Sequence, residues 1–226
     1  KSRKAAPELA RSTMSARSGA RSEERLEAGG AAIELLRVPA ALFGAVLAVR
    51  AGLYRVGLLR PRRAPVPVIS VGNLTVGGTG KTPLVLHLAQ ELARRGLVPA
   101  VVARGYGAQV DGLNDEGAEL AYRFEGLVQV QHPKRVLAAQ GAVARGAQAV
   151  VLDDGFQHRQ LHRDLDLVLV DATRPWGLRS TRALLPRGLL REAPTALRRA
   201  DLLVLTRADQ VDAAALGALR AELAAL

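Results

Sequence analysis

The chain has 226 residues, 49% hydrophobic and only 3% aromatic, with no cysteine. That length buries one core of ordinary size, and the missing cysteines exclude disulfides and thiolate metal sites and fit a reducing compartment. The formal net charge of +11 is unevenly placed: residues 1–65 hold 13 Lys/Arg against 5 Asp/Glu, and residues 66–226 hold 19 against 16. Nucleic-acid enzymes carry their basic face on the folded body. A balanced body with a basic arm speaks instead for an anionic membrane surface.

Residues 1–32 mix Arg, Ser, Ala, Glu and Gly without apolar periodicity and read as a disordered basic arm. Residues 33–60 read as an N-terminal amphipathic, membrane-associated helix. Its uncharged run, Val38 to Val49, is flanked by Arg37 and Arg50, with Arg55, Arg60, Arg62 and Arg63 following. Twelve residues are too few to span a bilayer, which needs about 20. Apolar residues in the lipid with arginines at the headgroups describe an interfacial helix. The competing picture is a helix packed on the domain.

From residue 61 to 226 the chain alternates in the α/β manner. Pro61, Pro65 and Pro67 start an extended segment. Strands are predicted over 66–71, 97–103, 147–152, 165–170 and 201–206. Helices are predicted over 83–95, from about 117 to 123, over 133–146 and over 212–226. Near-continuous Val/Leu strands indicate a mostly parallel sheet with helices on both faces. The predicted fold class is therefore α/β, of P-loop NTPase type.

The sharpest motif is Gly72 to Pro83, "GNLTVGGTGKTP". Thr75, Val76, Gly77, Gly78, Thr79, Gly80, Lys81 and Thr82 follow a strand and open a helix, the setting a phosphate loop needs. Glycines let backbone N–H groups turn inward around phosphate oxygens, and the helix start adds its dipole. Lys81 then reaches the β/γ-phosphates and Thr82 ligates Mg²⁺. Thr75 stands where the strict pattern has Gly. A second motif, "AVVLDDGFQH" (149–158), ends an apolar strand in Asp153 and Asp154, the arrangement that places a carboxylate beside the metal. Paired carboxylates are costly to ionise together, and a bound cation removes that cost. "ARGYG" (103–107) lies after a strand on the same sheet edge, where Arg104 could contact phosphate or substrate and Tyr106 could stack. Asp115 and Glu116 read equally as helix-start acids and as catalytic carboxylates. His158 and His162 have the spacing of a helical metal pair, but the surrounding loop and a missing third ligand speak against one.

Together these segments resemble the tetraacyldisaccharide 4′-kinase (lipid A 4′-kinase) family. The resemblance rests on residues 63–83, 103–107, 114–121, 152–172 and 184–194, in order, and above all on "DDGFQHRQL-RDLDLVLVD". It implies ATP-dependent phosphorylation, with Mg²⁺, of the 4′-hydroxyl of a tetraacyldisaccharide 1-phosphate. The implied setting is peripheral or monotopic, on the cytoplasmic face of the inner membrane, with no nucleic-acid partner. Asp115 then falls at the catalytic base, and Lys81 and Thr82 keep their roles. Asp153 and Asp154 sit at the metal-proximal motif, with Arg104, Tyr106, Gln157, His158, Arg191 and Glu192 on the substrate side. The resemblance also implies a C-terminal portion, not within these residues, bearing a histidine that partners the aspartate. The alternative is a regulatory or assembly NTPase binding a protein partner. Thr206-Arg207-Ala208-Asp209 supports it, one substitution from a guanine-reading pattern.

Overall fold

In the computed structural model, residues 34–105, 114–178 and 181–226 are described. The expected arm (1–32) and Tyr106 lie outside them. In chain order the main elements are α1 (Arg37–Arg55), β1 (Val68–Asn73), α2 (Lys81–Arg94), β2 (Pro99–Ala103), α3 (Asp115–Arg123), β3 (Val128–Gln131), α4 (Arg135–Ala144), β4 (Ala149–Asp153), β5 (Leu165–Asp171), β6 (Leu202–Thr206) and α5 (Ala213–Ala224). A 3₁₀ turn at Pro194–Arg199 precedes β6 and another at Ala208–Gln210 follows it.

The strands form one six-stranded sheet in the order β3-β2-β4-β1-β5-β6, every pair parallel. β1 lies between β4 and β5, so its C-terminal end opens at the point where the winding direction reverses. In open α/β sheets that is where ligands bind.

Strand alternation sends side chains to two faces, and both are covered. On one, Val71, Val101, Val151, Leu167 and Leu169 pack with Val85, Leu86 and Ala89 of α2 and Leu120 of α3. On the other, Ala138, Ala139 and Ala142 of α4 cover Val68, Ala100, Val102, Val150 and Leu152. There too Leu219 and Leu223 of α5 join Val168, Val170, Phe156, Trp176 and Leu190. Phe156 is fully buried and passes so close to β1 that a Cβ on Gly72 would stand 2.6 Å from its Cβ and 2.7 Å from its backbone nitrogen. A glycine in a central strand weakens it, and here close approach is the reason for one. Burying such a ring contributes about 2–3 kcal/mol, and it pins the acidic loop after β4 against the strand that carries the phosphate loop.

Helix α1 stands apart from this core. Of its 19 residues only Ala40 is buried, while Val38, Leu42, Val46 and Val49 are 64–68% exposed and form one stripe at helical spacing. Three contacts anchor its other side. Glu34 pairs with Arg187 at 2.7 Å, Gly44 faces Leu184, and Arg50 donates to the Gln157 carbonyl at 2.6 Å. The helix is longer than the uncharged run alone suggests. By length and composition it could cross a bilayer.

Candidate active site

The phosphate loop is built from both ends. After β1 its first half is strapped by the 189–191 segment: Val76 N donates to Leu189 O at 2.8 Å, Arg191 N donates to Leu74 O at 2.8 Å, and Thr75 bridges Leu190. The second half is open, with Gly77, Gly78 and Gly80 exposed. Gly77 (φ 123°) and Gly80 (φ 83°) hold left-handed conformations that strain any L side chain, and Gly80 is the residue before α2. Lys81 is the first helical residue and its side chain is only 12% exposed. Its Nζ lies 3.3 Å from Asn73 Oδ1 and 3.7 Å from Asp154 Oδ1. The buried Thr79 hydroxyl and Asn73 Nδ2 have no hydrogen-bond partner among the described residues.

The two acids at the end of β4 differ in environment. Asp153 is 5% exposed, and its Oδ1 has no hydrogen-bond partner among the described residues. Burial, then the Glu116 charge, pushes its carboxyl up to about 6, against the pull of Lys81. Asp154 has a left-handed backbone (φ 52°) that turns it away from the strand. Both its oxygens accept from Arg191 Nη1, at 2.8 and 2.7 Å. Burial alone would raise its carboxyl, but Arg191 and Lys81 hold it below the usual carboxylate range. The expectation grouped the pair as metal-proximal. The geometry separates them: Asp153 presents an unengaged oxygen, while Asp154 joins the Lys81 and Arg191 cations.

α3 is clamped onto the end of β3. Asn114 caps it, with Oδ1 accepting from Gly117 N at 2.9 Å and from Gln131 Nε2 at 2.7 Å, while Gln129 Nε2 donates to Gly117 O at 3.0 Å. A Cβ on Gly117 would stand 2.3 Å from Gln131 Nε2. The cap leaves Asp115 and Glu116 exposed in the first turn, and the Glu116 charge reaches Asp153. The helix therefore starts two residues before its expected position.

Beyond Asp154 the surface is basic. Gln157 Nε2 donates to Asn73 O at 2.9 Å and fixes the acidic loop to β1. His158 is partly buried and has no partner at Nε2 among the described residues. Burial and the charges of Arg135, Arg163, Arg50 and Arg104 depress its imidazole to about 4. Arg135, at the start of α4, is itself buried at 5% exposure. Burial lowers its pKa, Asp154 and Asp153 hold it charged, and Arg104 opposes it. Glu192 is buried and pairs with Arg199 at 2.9 Å. On the opposite flank Arg207 (φ 53°) pairs with Asp171 and donates from Nη2 to Gly78 O at 2.8 Å. Sequence reasoning singled out neither Asn73 nor Arg135, and read Arg207 only as part of a guanine-like pattern.

Glycine loop, lysine and neighbouring buried acid thus meet at the reversal point of a parallel sheet, an arrangement that defines the P-loop class of nucleotide-binding proteins. Among the described residues no group of three or more His, Cys, Asp and Glu could hold a metal ion. Within that class, the model of the tetraacyldisaccharide-1-P 4′-kinase family matches residues 32–225, and the chain belongs to that family. A tetraacyldisaccharide 4′-kinase of Anaeromyxobacter sp. (strain Fw109-5) is 49% identical over 197 residues, 80% of this chain and 52% of the relative. One from Geobacter sulfurreducens is 46% identical over 191 residues, 76% of this chain and 53% of the relative. The crystal structure of the "apo" form LpxK from Aquifex aeolicus in complex with ATP matches with a TM-score of 0.67 at 34% identity, over 78% of this chain and 59% of that one. The chain spans about half the length of the curated relatives it matches. Family membership favours the kinase reading over the regulatory NTPase.

Proposed function

We propose that this chain forms the nucleotide-binding and acceptor-activating part of a kinase. It moves the γ-phosphoryl group of ATP to the 4′-hydroxyl of a tetraacyldisaccharide 1-phosphate at a membrane surface. The observation that carries the reading is the charged chain Lys81–Asp154–Arg191, which links the phosphate loop to the 184–194 segment on the acceptor side.

In this reading the acceptor hydroxyl oxygen attacks the γ-phosphorus and loses its proton to Asp115. The bond to the β,γ-bridging oxygen breaks, and its electron pair leaves on ADP. Thr75 to Thr82 cradle the phosphates, and Lys81 follows the charge as it moves to the bridging oxygen. Asp154 holds Lys81 and Arg191 in register. Thr82 and Asp153 suit Mg²⁺: both offer hard oxygen ligands, and the unengaged, buried Asp153 Oδ1 gains its missing partner. When bound, the ion neutralises charge on the β- and γ-phosphates. Arg104, Gln157, His158, Arg191 and Glu192 line the acceptor side. A neutral His158 can accept or donate a hydrogen bond to a sugar hydroxyl without adding charge.

The acceptor carries acyl chains, so the enzyme must work at an interface. The exposed Val38, Leu42, Val46 and Val49 stripe supports insertion of α1 into the bilayer on the cytoplasmic side, with Arg55 at headgroup depth. Each basic residue near an anionic surface contributes about 1 kcal/mol. The test is incubation of the full-length protein with ATP, Mg²⁺ and the disaccharide 1-phosphate, followed by positional analysis of the product. A new 4′-phosphomonoester supports the proposal. Nucleotide hydrolysis with an unmodified disaccharide rejects it.

A further inference from the structure

Beside the C-terminal end of α1 lies a cavity of about 210 Å³ that no step above uses, lined in part by Tyr54, Arg159, His162, Arg163 and Arg199. Three guanidinium groups in one small space repel each other unless anions compensate them. Two are compensated from within the fold: Arg163 pairs with Asp166 at 2.7 Å, and Arg199 with Glu192 at 2.9 Å. Arg159 has no such close partner. It forms no ion pair among the described residues, and its guanidinium lies over the Tyr54 ring, 4.2 Å from the centroid. Burial and the Arg199 charge push its pKa down, and the more distant Glu192 charge only partly opposes them. Arg199 adds a second deficit, because its Nε and Nη2 are buried without an acceptor among the described residues. Its guanidinium is held flat over Phe156, 4.5 Å from the ring centroid.

A cavity with one guanidinium outside any ion pair, two unused N–H donors and aromatic rings fixing both planes is suited to a tetrahedral oxyanion. Its position narrows the source. Tyr54 belongs to α1, whose exposed apolar stripe is the face read above as entering the bilayer.

We infer that this cavity binds the phosphate group of a membrane amphiphile, with Arg159 supplying the charge and Arg199 the free donors. The inference rests on the lipid-kinase reading above and deepens it by assigning a phosphate subsite. The phosphate can belong to the acceptor's own 1-position or to a neighbouring phospholipid headgroup, and the same experiment separates the two.

The variant is Arg159→Met in the full-length protein, with unchanged ATP affinity as the control for folding. KM and kcat are measured in neutral micelles for the disaccharide with and without its 1-phosphate. Flotation is compared on phosphatidylcholine vesicles and on vesicles containing phosphatidylglycerol. If the site takes the acceptor's phosphate, KM for the phosphorylated acceptor rises roughly tenfold, as for loss of one charge-assisted contact. The dephosphorylated acceptor and kcat stay the same. If it takes a headgroup, flotation on the anionic vesicles falls while both acceptors behave as in wild type. Equal effects on both acceptors without a flotation change, or no effect anywhere, would overturn the site. Absence of transfer by the wild type would strike the function instead, and the flotation arm would still judge the cavity. Arg159→Lys, which keeps the charge and loses the fork, should fall between the two.

Discussion

Arg191 and Asp154, 37 residues apart in sequence, are joined by two short contacts from a single guanidinium nitrogen to both carboxylate oxygens, at 2.8 and 2.7 Å. The same carboxylate lies 3.7 Å from Lys81 Nζ. One acid therefore ties together two cations, Lys81 at the start of the helix after the phosphate loop and Arg191 on the 189–191 strap. Removing Arg191 frees Asp154 to draw Lys81 away from the phosphates. Arg191→Ala should lower kcat/KM by about 10²-fold, within the 2–5 kcal/mol range for breaking one partner of a hydrogen-bonded charge pair. Steady-state kinetics with ATP and acceptor varied in turn would show it. A loss confined to KM for ATP would place Arg191 on the nucleotide side instead.

The opposite flank offers a contrast. Arg207 connects Asp171 at the end of β5 to the Gly78 carbonyl, and so braces the open half of the phosphate loop. Arg207→Ala should raise KM for ATP by roughly tenfold, the scale of one lost charge-assisted hydrogen bond. The acceptor's KM should not move. If both rise together, the brace shapes the whole site and not the nucleotide end alone.

Asp115 stands in the first turn of α3, held there by the Asn114–Gln131 clamp. Asp115→Asn preserves the turn and cannot take a proton. Turnover should fall about 10²–10⁴-fold, the usual contribution of a general base, with ATP affinity measured by titration nearly intact. Lost ATP binding with turnover per bound nucleotide unchanged would make Asp115 a structural residue.

His158 makes stability pH-dependent. Its folded-state pKa is about 4, below the ordinary 6.5, so between those values the unfolded chain binds more protons. Stability from this group therefore rises as pH climbs from about 4 to about 6.5 and is constant above. Asp153, raised to about 6, acts in the opposite sense over part of that window. The informative quantity is thus the difference between wild type and His158→Gln. Chemical denaturation at pH 4.5 and pH 7.5 should show the variant gaining on the wild type at the acid end. The gain should be on the order of 1–2 kcal/mol after discounting for partial exposure. An equal difference at both pH values would mean that the imidazole titrates normally.

What could be read from sequence was local. Gly77, Gly80 and Lys81 declare themselves because a phosphate loop is a contiguous run whose glycines have no other purpose, and five strands announced themselves as buried Val/Leu runs. β3 escaped because it is four residues long and reads Val-Gln-Val-Gln, half polar, on the sheet edge. α1 was expected over 33–60 from its uncharged stretch and flanking arginines, and the helix occupies Arg37–Arg55 within that range. Asp115 gave no sign of its clamp, since Gln129 and Gln131 lie in that unrecognised strand. Arg135 was one unremarked residue of the helix predicted over 133–146. Only folding shows that β3 and α4 bring it, buried, toward Asp153 and Asp154. The Arg191–Asp154 and Arg207–Gly78 links span too much sequence for any spacing rule.

On the proposed function, Lys81 stabilises a phosphoryl group on its way to a lipid hydroxyl. Single-turnover transfer from ATP to the disaccharide 4′-hydroxyl, by full-length wild type and Lys81→Ala at saturating ATP, tests it most directly. The wild type should transfer rapidly. The variant should lose roughly 3–4 kcal/mol of transition-state stabilisation, the cost of removing one preorganised electrostatic contact. A variant that transfers at the wild-type rate would contradict it.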